Sequence, residues 1–235
     1  MIRKAFILAG GKGERLRPLT NEIPKPLIEV KGKPILQYSV ELLREAGVKE
    51  IVLGVGYKAE KIKVFFGNGE KFGVKVFYSE EKEALGTGGA LKHAEKFFAN
   101  EKKFIMLNGD NLADYDFKKM IEEHEANNAA ATIALVKVDD PSSYGVAELQ
   151  EKKIVRFVEK PKREEAPSNY ANAGAYVLNK EIFKLLPHGF SLIEKNAFPQ
   201  LAGEGKLFAF FHEGQWFPTD DKKRLEDAEK NFNAR

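Results

Sequence analysis

The chain contains no cysteine, which excludes disulfides and thiolate metal sites. It has no long apolar run, and nothing approaches the roughly 20 residues that span a bilayer. The N-terminal Met1-Ile2-Arg3-Lys4 leads only into residues 5–9 before glycine and charge arrive, so neither a signal peptide nor a membrane partner is expected. A cytoplasmic protein is the expectation. Charge imbalance is missing too: 38 Lys and Arg against 35 Asp and Glu leave a net charge of +3. The lysines are spread along the chain and form no concentrated stripe, so nucleic acid is not an expected partner. No repeat, long linker or low-complexity tract interrupts the 235 residues, a length that suits one large α/β domain with a substantial core.

What is present is an alternation of short apolar runs and helical repeats. Residues 5–9, 51–55, 74–78 and 104–108 have strand length, and the continuous apolar runs among them suit strands buried on both faces. Between them, 35–46 repeats apolar residues at helical spacing and stops before Gly47, while 59–66, 86–99 and 117–126 predict further helices. Such alternation predicts α/β architecture: a Rossmann-like, doubly wound mixed sheet in a three-layer α/β/α arrangement. Beyond residue 130 the character changes. Residues 130–138, 173–178 and 207–211 are β-prone, 146–149 and 154–159 predict a hairpin around Glu151-Lys152-Lys153, and 222–232 predicts a polar closing helix. Residues 161–167, bounded by prolines, predict a solvated loop.

The run Gly10-Gly11-Lys12-Gly13-Glu14-Arg15-Leu16-Arg17-Pro18-Leu19-Thr20 follows the first strand. Ligands of open α/β sheets bind beyond the carboxyl ends of strands, where this loop falls. Glycines let backbone N–H groups approach phosphate oxygens closely, and Arg15 and Arg17 can add fork-shaped, charge-assisted hydrogen bonds. No Gly-Lys-Ser/Thr closes a P-loop. The dinucleotide fingerprint lacks its third glycine, which disfavours an NAD-linked enzyme. Pro24-Lys25-Pro26 fixes the backbone on both sides of one lysine and so pre-positions a cation, as transition-state charge stabilisation requires. Taken singly, the loop is equally a tight turn and Lys25 a surface lysine.

Together, Gly10-Gly11-x-Gly13-x-Arg15-Leu16-x-Pro18-Leu19-Thr20 and Pro24-Lys25-Pro26-Leu27 resemble the signature of the sugar-phosphate nucleotidyltransferases. That family makes nucleotide-sugars from an NTP and a sugar 1-phosphate and releases pyrophosphate. Further matches follow in order through nearly the whole chain. Leu85-Gly86-Thr87-Gly88-Gly89-Ala90 resembles the segment whose backbone lies against the nucleobase. Asn108-Gly109-Asp110 resembles the Gly-Asp at a strand end whose aspartate binds Mg²⁺. Tyr144-Gly145, Phe157-Val158-Glu159-Lys160-Pro161 and Asn172-Ala173-Gly174 resemble the elements that hold the sugar phosphate.

The resemblance implies catalytic roles for Arg15 and Lys25. It implies nucleotide binding by Leu8, Gly10, Gly11, Gly13, Arg15, Gly86, Thr87 and Gly88. Sugar-phosphate binding would fall to Asn108, Gly145, Glu159, Lys160 and Asn172, with Mg²⁺ on Asp110 and a second aspartate. Relatives commonly carry Trp-x-Asp-x-Gly-Thr before the last helix, but Trp216-Phe217-Pro218-Thr219-Asp220-Asp221 puts Pro218 at that aspartate's place. Asp220 is expected to take over, with Asp221 as the fallback; either is alternatively the N-cap of the final helix.

The expected fold type is accordingly that of the nucleotide-diphospho-sugar transferases, in one domain over 1–235. A nucleotide-binding half (1–128) and a sugar-phosphate-binding half (129–235) are expected, with no C-terminal β-helix. The expected partners are small molecules, an NTP and a sugar 1-phosphate, and the protein is expected to be a monomer or small homo-oligomer. A hexose 1-phosphate is favoured, and the nucleotide leans to GTP over dTTP and UTP. The expected chemistry is Mg-assisted in-line attack on the α-phosphate. A catalytically inactive nucleotide-sugar-binding module is the alternative, supported by the altered segment around Pro218.

Overall fold

The computed structural model describes residues 2–233. The first apolar run forms β1 (Lys4–Leu8), with Ala5, Phe6 and Ile7 fully buried. Three 3-10 turns lead from it to a short antiparallel pair, β2 (Glu29–Val30) and β3 (Lys33–Pro34). Next comes α1 (Ile35–Glu45), which buries Ile35, Leu36, Val40 and Leu43 along one stripe. Gly47 follows it with φ +91°, the left-handed position at which helices stop.

The chain continues through β4 (Glu50–Val55), α2 (Ala59–Phe66), β5 (Lys75–Glu80) and α3 (Gly86–His93). β6 (Lys103–Asn108), β7 (Asn111–Ala113) and α4 (Phe117–Ala126) come next. After β8 (Ala131–Lys137) stand the hairpin strands β9 (Gly145–Gln150) and β10 (Lys153–Glu159), then β11 (Tyr170–Asn179). The last elements are α5 (Ile193–Gly203), β12 (Leu207–Phe211), β13 (Trp216–Pro218) and α6 (Lys222–Asn231).

These elements divide between two compact units. The first takes the residues up to Ala84, Leu107–Tyr115 and those from Gly214 onward; the second takes Leu85–Met106 and Asp116–Glu213. The boundaries differ from the halves 1–128 and 129–235. Strand pairing supplies the reason: β7 pairs antiparallel with β13, Asn111 opposite Pro218, so the segment after β6 belongs with the end of the chain.

In the first unit β1, β4 and β5 are parallel, with Phe6 opposite Val52 and Val52 opposite Phe77. α1 and α2 provide the crossovers that parallel strands require. The second unit is mixed, in the order β11-β8-β12-β10-β9, with β12 parallel to β8 and the other neighbours antiparallel. The β9–β10 hairpin turns at Glu151, whose φ is +54°, one residue more tightly than the predicted turn.

Two elements depart from the residue pattern. The helix predicted over 86–99 ends at His93, and Glu95–Phe98 forms a separate 3-10 turn. That turn brings Phe98 into the core against Phe104, ring centroids 4.4 Å apart. α5 is not announced by the sequence because Pro199 sits inside it and reads as a breaker. Burial of Ile193, Ala197, Phe198 and Leu201 on one face outweighs the missing N–H.

Candidate active site

The glycine loop leaves β1 within the first unit. Gly10 accepts a hydrogen bond from the Tyr57 N–H, and a Cβ there would stand 3.2 Å from the Glu81 carboxylate and 3.3 Å from the Gly56 nitrogen. Gly13 has φ +62°, and its Cβ would strike the Thr20 methyl at 2.8 Å and the Lys25 Cβ at 3.0 Å. Gly11 differs: a Cβ there would meet nothing within 4 Å. The loop is therefore clamped at Gly10 and Gly13 and open at Gly11. Thr20 closes it by donating its hydroxyl to the Gly13 carbonyl at 2.9 Å.

Lys25 opens a 3-10 turn, Lys25–Leu27, after the extended Pro24. It is buried, only 7% exposed, so it is not the surface lysine that a proline turn alone suggests. Its ammonium donates to Asp110 Oδ2 at 2.8 Å. Asp110 follows β6, and its carbonyl accepts from both the N–H and the hydroxyl of the fully buried Thr219 at 3.1 and 2.8 Å. Those two hydrogen bonds tie Thr219, the residue before Asp220, to Asp110.

Both oxygens of Asp220 are engaged: Arg15 Nη1 donates to Oδ2 at 2.8 Å and Arg224 Nη1 to Oδ1 at 2.6 Å. Burial pushes the Asp220 carboxyl up, but the Arg224 hydrogen bond and charge, with the charge of Lys25, outweigh it and hold it below its ordinary value. Asp221 has a different task. It is the N-cap of α6 and accepts from the Arg224 N–H at 2.9 Å.

No group of three His, Cys, Asp or Glu side chains gathers among the described residues. Two neighbouring carboxylates nonetheless fit Mg²⁺, which keeps its waters and takes one or two carboxylates plus phosphate oxygens. Tyr115 is buried near Asp110, its phenol pushed up by burial and further by the Asp110 charge.

The second unit holds the remaining candidates. α3 opens on Gly86, with φ +71°. The N–H groups of Gly88 and Gly89 both donate to the Ser191 carbonyl, at 2.9 and 3.1 Å. A Cβ on Gly88 would meet Ser191 Oγ at 2.8 Å, so the glycines admit the 191–193 segment against the helix. Thr87 donates its hydroxyl to Glu194 at 2.5 Å and accepts from the Ile193 N–H at 3.1 Å.

Gly145 lies opposite Glu159 across β9 and β10, where any Cβ would strike the Phe157 ring at 2.5 Å and the Glu159 carboxylate at 2.8 Å. Lys160 has φ +49° and an exposed side chain, 3.7 Å from Glu159. The Asn172 amide holds a bulge in β11: Oδ1 accepts from the Gly174 N–H at 2.9 Å and Nδ2 donates to Tyr176 at 2.8 Å.

Within the first unit lie Leu8, Gly10, Gly11, Gly13, Arg15, Lys25, Asn108, Asp110 and Asp220; within the second lie Gly86, Thr87, Gly88, Gly145, Glu159, Lys160 and Asn172. The expected nucleotide set is thus shared between both units. Asn108 is set apart from the other sugar-phosphate candidates, its side-chain carbonyl buried without a protein hydrogen-bond partner.

Sequence reasoning missed Thr219, Arg224 and Glu194. The i, i+4 spacing of Asp220 and Arg224 was available as a signal. Glu194 had none, because α5 itself was hidden. Burial raises its carboxyl above the usual range; Thr87 opposes this, the Glu159 charge adds to it and Lys160 opposes it.

Comparison with known proteins places the chain in a family. The chain is 45% identical, over 94% of its length, to a mannose-1-phosphate guanyltransferase of Yarrowia lipolytica, of which it covers 61%. The chain therefore spans about three fifths of the length of the curated relatives it matches. Among solved structures, HddC from Yersinia pseudotuberculosis complexed with GMP-PN is 32% identical with a TM-score of 0.82, covering 99% of this chain and 100% of that one. A UDP-glucose pyrophosphorylase complexed with UDP-glucose is 27% identical with a TM-score of 0.88, over 99% and 98% of the two chains.

The fold is the mixed α/β type of the nucleotide-sugar transferases. Residues 4–234 match the nucleotidyl transferase family, and the chain belongs to it.

Proposed function

We propose that the protein transfers a nucleotidyl group from an NTP to a sugar 1-phosphate, with GTP and mannose 1-phosphate as the favoured pair. One observation carries the reaction class. Lys25 and Arg15 stand on Asp110 and Asp220 beside the glycine turn, so cations for a triphosphate and carboxylates for a metal share one place. The substrate preference is supported by relatives named as mannose-1-phosphate guanyltransferases and by HddC complexed with GMP-PN.

An oxygen of the sugar phosphate attacks the α-phosphorus in line; the new O–P bond forms as the bond to the β-phosphate oxygen breaks, and pyrophosphate leaves. The nucleophile is already ionised, so no general base is needed. Orientation of two bound reactants supplies roughly 7–11 kcal/mol of barrier lowering. Gly11 leaves room for the phosphates at the loop, while Arg15 and Lys25 offset the charge that grows on the departing oxygens. Lys160 holds the acceptor phosphate, with Glu159 on the sugar hydroxyls. Asp110 and Asp220 would hold Mg²⁺, which supplies further charge neutralisation on the triphosphate.

Pro218 at the usual aspartate's place favours a second reading, a binding module without turnover. A matrix of NTPs against sugar 1-phosphates, scored by pyrophosphate release, decides between them. The highest release is expected with GTP and mannose 1-phosphate; no release from any pair overturns the enzyme reading.

A further inference from the structure

Asp220 is guarded on both sides. Arg15 takes Oδ2 and Arg224 takes Oδ1, at 2.8 and 2.6 Å, while Lys25 takes Oδ2 of Asp110 at 2.8 Å. A carboxylate with a guanidinium on each oxygen gives up a charge-assisted hydrogen bond before it can accept a cation. The charges also balance. Arg15, Lys25 and Arg224 face Asp110, Asp220 and Asp221, the last 3.6 Å from Arg224 Nε. A neutral cluster has little long-range pull on a bare dication.

The two guards are unequal. The Arg15 side chain is 68% exposed on a three-residue turn and reaches Asp220 across 205 residues of sequence. Exposed pairs of this kind are worth about 0–1 kcal/mol and yield to a better partner. Arg224 is 28% exposed in the first turn of α6, where its own N–H is fixed by the Asp221 cap. Helical side chains lean toward the N-terminus, which carries Arg224 back onto Asp220. A triphosphate brings several negative charges and a bidentate partner for Arg15, and drawing Arg15 away uncovers Oδ2.

We propose that Arg15 and Arg224 close the Asp220 carboxylate to divalent cations in the nucleotide-free protein, so that the cation enters together with the triphosphate. The proposal rests on the reading of Asp220 as a metal ligand. Coupling of this kind is reciprocal: the cation raises nucleotide affinity by the factor with which nucleotide raises cation affinity.

Mn²⁺ binding to the nucleotide-free protein, followed through the free-ion resonance, tests it. Arg224→Gln and Arg15→Gln are each expected to bind Mn²⁺ more tightly than the wild type, by up to about fivefold for the exposed Arg15 and by about fivefold or more for Arg224. Adding Asp220→Asn to either is expected to erase the gain. The exposed Arg15 makes the test independent of any folding defect in Arg224→Gln. Unchanged Mn²⁺ affinity in Arg15→Gln, or a gain that survives Asp220→Asn, overturns the proposal. Absence of pyrophosphate release across the substrate matrix instead overturns the functional reading, and leaves the Mn²⁺ comparison to decide the guard.

Discussion

Thr219 donates twice to one atom: its N–H and its hydroxyl both bond the Asp110 carbonyl, at 3.1 and 2.8 Å. This joins the two carboxylate segments, since Asp110 ends one and Asp220 begins the next. Thr219→Val keeps the shape of this fully buried side chain and removes only the hydroxyl. Thermal denaturation is expected to show a loss of about 1 kcal/mol. The Mg²⁺ concentration for half-maximal turnover is expected to rise about 10-fold, as for other supports of metal ligands.

Lys25→Met keeps the buried aliphatic stem and deletes the ammonium. Turnover measured by pyrophosphate release is expected to fall about 100–1,000-fold, the effect of removing one preorganised transition-state donor. The melting temperature should change little, because the Asp110 carboxylate it leaves behind is 44% exposed. Near-normal turnover would remove Lys25 from the reaction.

Asp220 and Asp221 are adjacent and separable. Asp221→Ala removes the α6 cap and is expected to cost about 1 kcal/mol of stability while turnover stays within a few-fold. Asp220→Asn is expected to abolish most turnover. The lowered carboxyl of Asp220 makes its pairing stabilising above its unfolded value of 3.8, and that contribution is lost as pH falls through the lower folded value. The stability gap between wild type and Asp220→Asn should therefore be present at pH 7 and close in strong acid.

Gly11 and Gly13 give opposite results on methylation. Gly13→Ala forces a side chain into φ +62° and against Thr20 at 2.8 Å, so a lower melting temperature is expected, equivalent to about 1–3 kcal/mol. Gly11→Ala meets nothing within 4 Å and should melt like the wild type. Its KM for NTP is nonetheless expected to rise, because the added methyl takes space at the phosphate loop. An unchanged KM would move the phosphates away from Gly11.

Glu194 has the opposite sign to Asp220. Its folded carboxyl is raised, so the folded protein binds the proton more tightly and loses stability as pH rises above the ordinary value of 4.5. Glu194→Gln retains an acceptor for Thr87 without the charge. The variant is expected to melt higher than the wild type at pH 8 and equally at pH 4; a gap that persists at pH 4 would reject ionisation as its cause.

Much of the first unit was legible because local chemistry decides it. Continuous apolar runs became parallel strands, Gly47 ended α1, and the spacing around Gly13 and Lys25 reported a loop whose residues touch one another. The expectation for Asp110 leaned on the family resemblance, because a lone aspartate after a strand is ordinarily a turn residue. The pattern was less informative where tertiary burial overrides propensity: Pro199 concealed α5, and with it Glu194. The division of the chain was also unreadable, since the pairing of Asn111 with Pro218 joins residues more than one hundred apart. Thr219 acts on Asp110, 109 residues away, so no local window displays that contact, whereas the i, i+4 spacing of Asp220 and Arg224 stood in one.

The interleaving of the first unit has a consequence for biosynthesis. As the chain emerges from a ribosome, the loop of Gly10 and Arg15 appears before the second unit and Asp220 only after every residue of that unit has been made. Arg15 has no Asp220 to rest on throughout that interval, and β7 has no β13 to pair with. A nascent chain stalled before Gly214 therefore holds the glycine loop without Asp220.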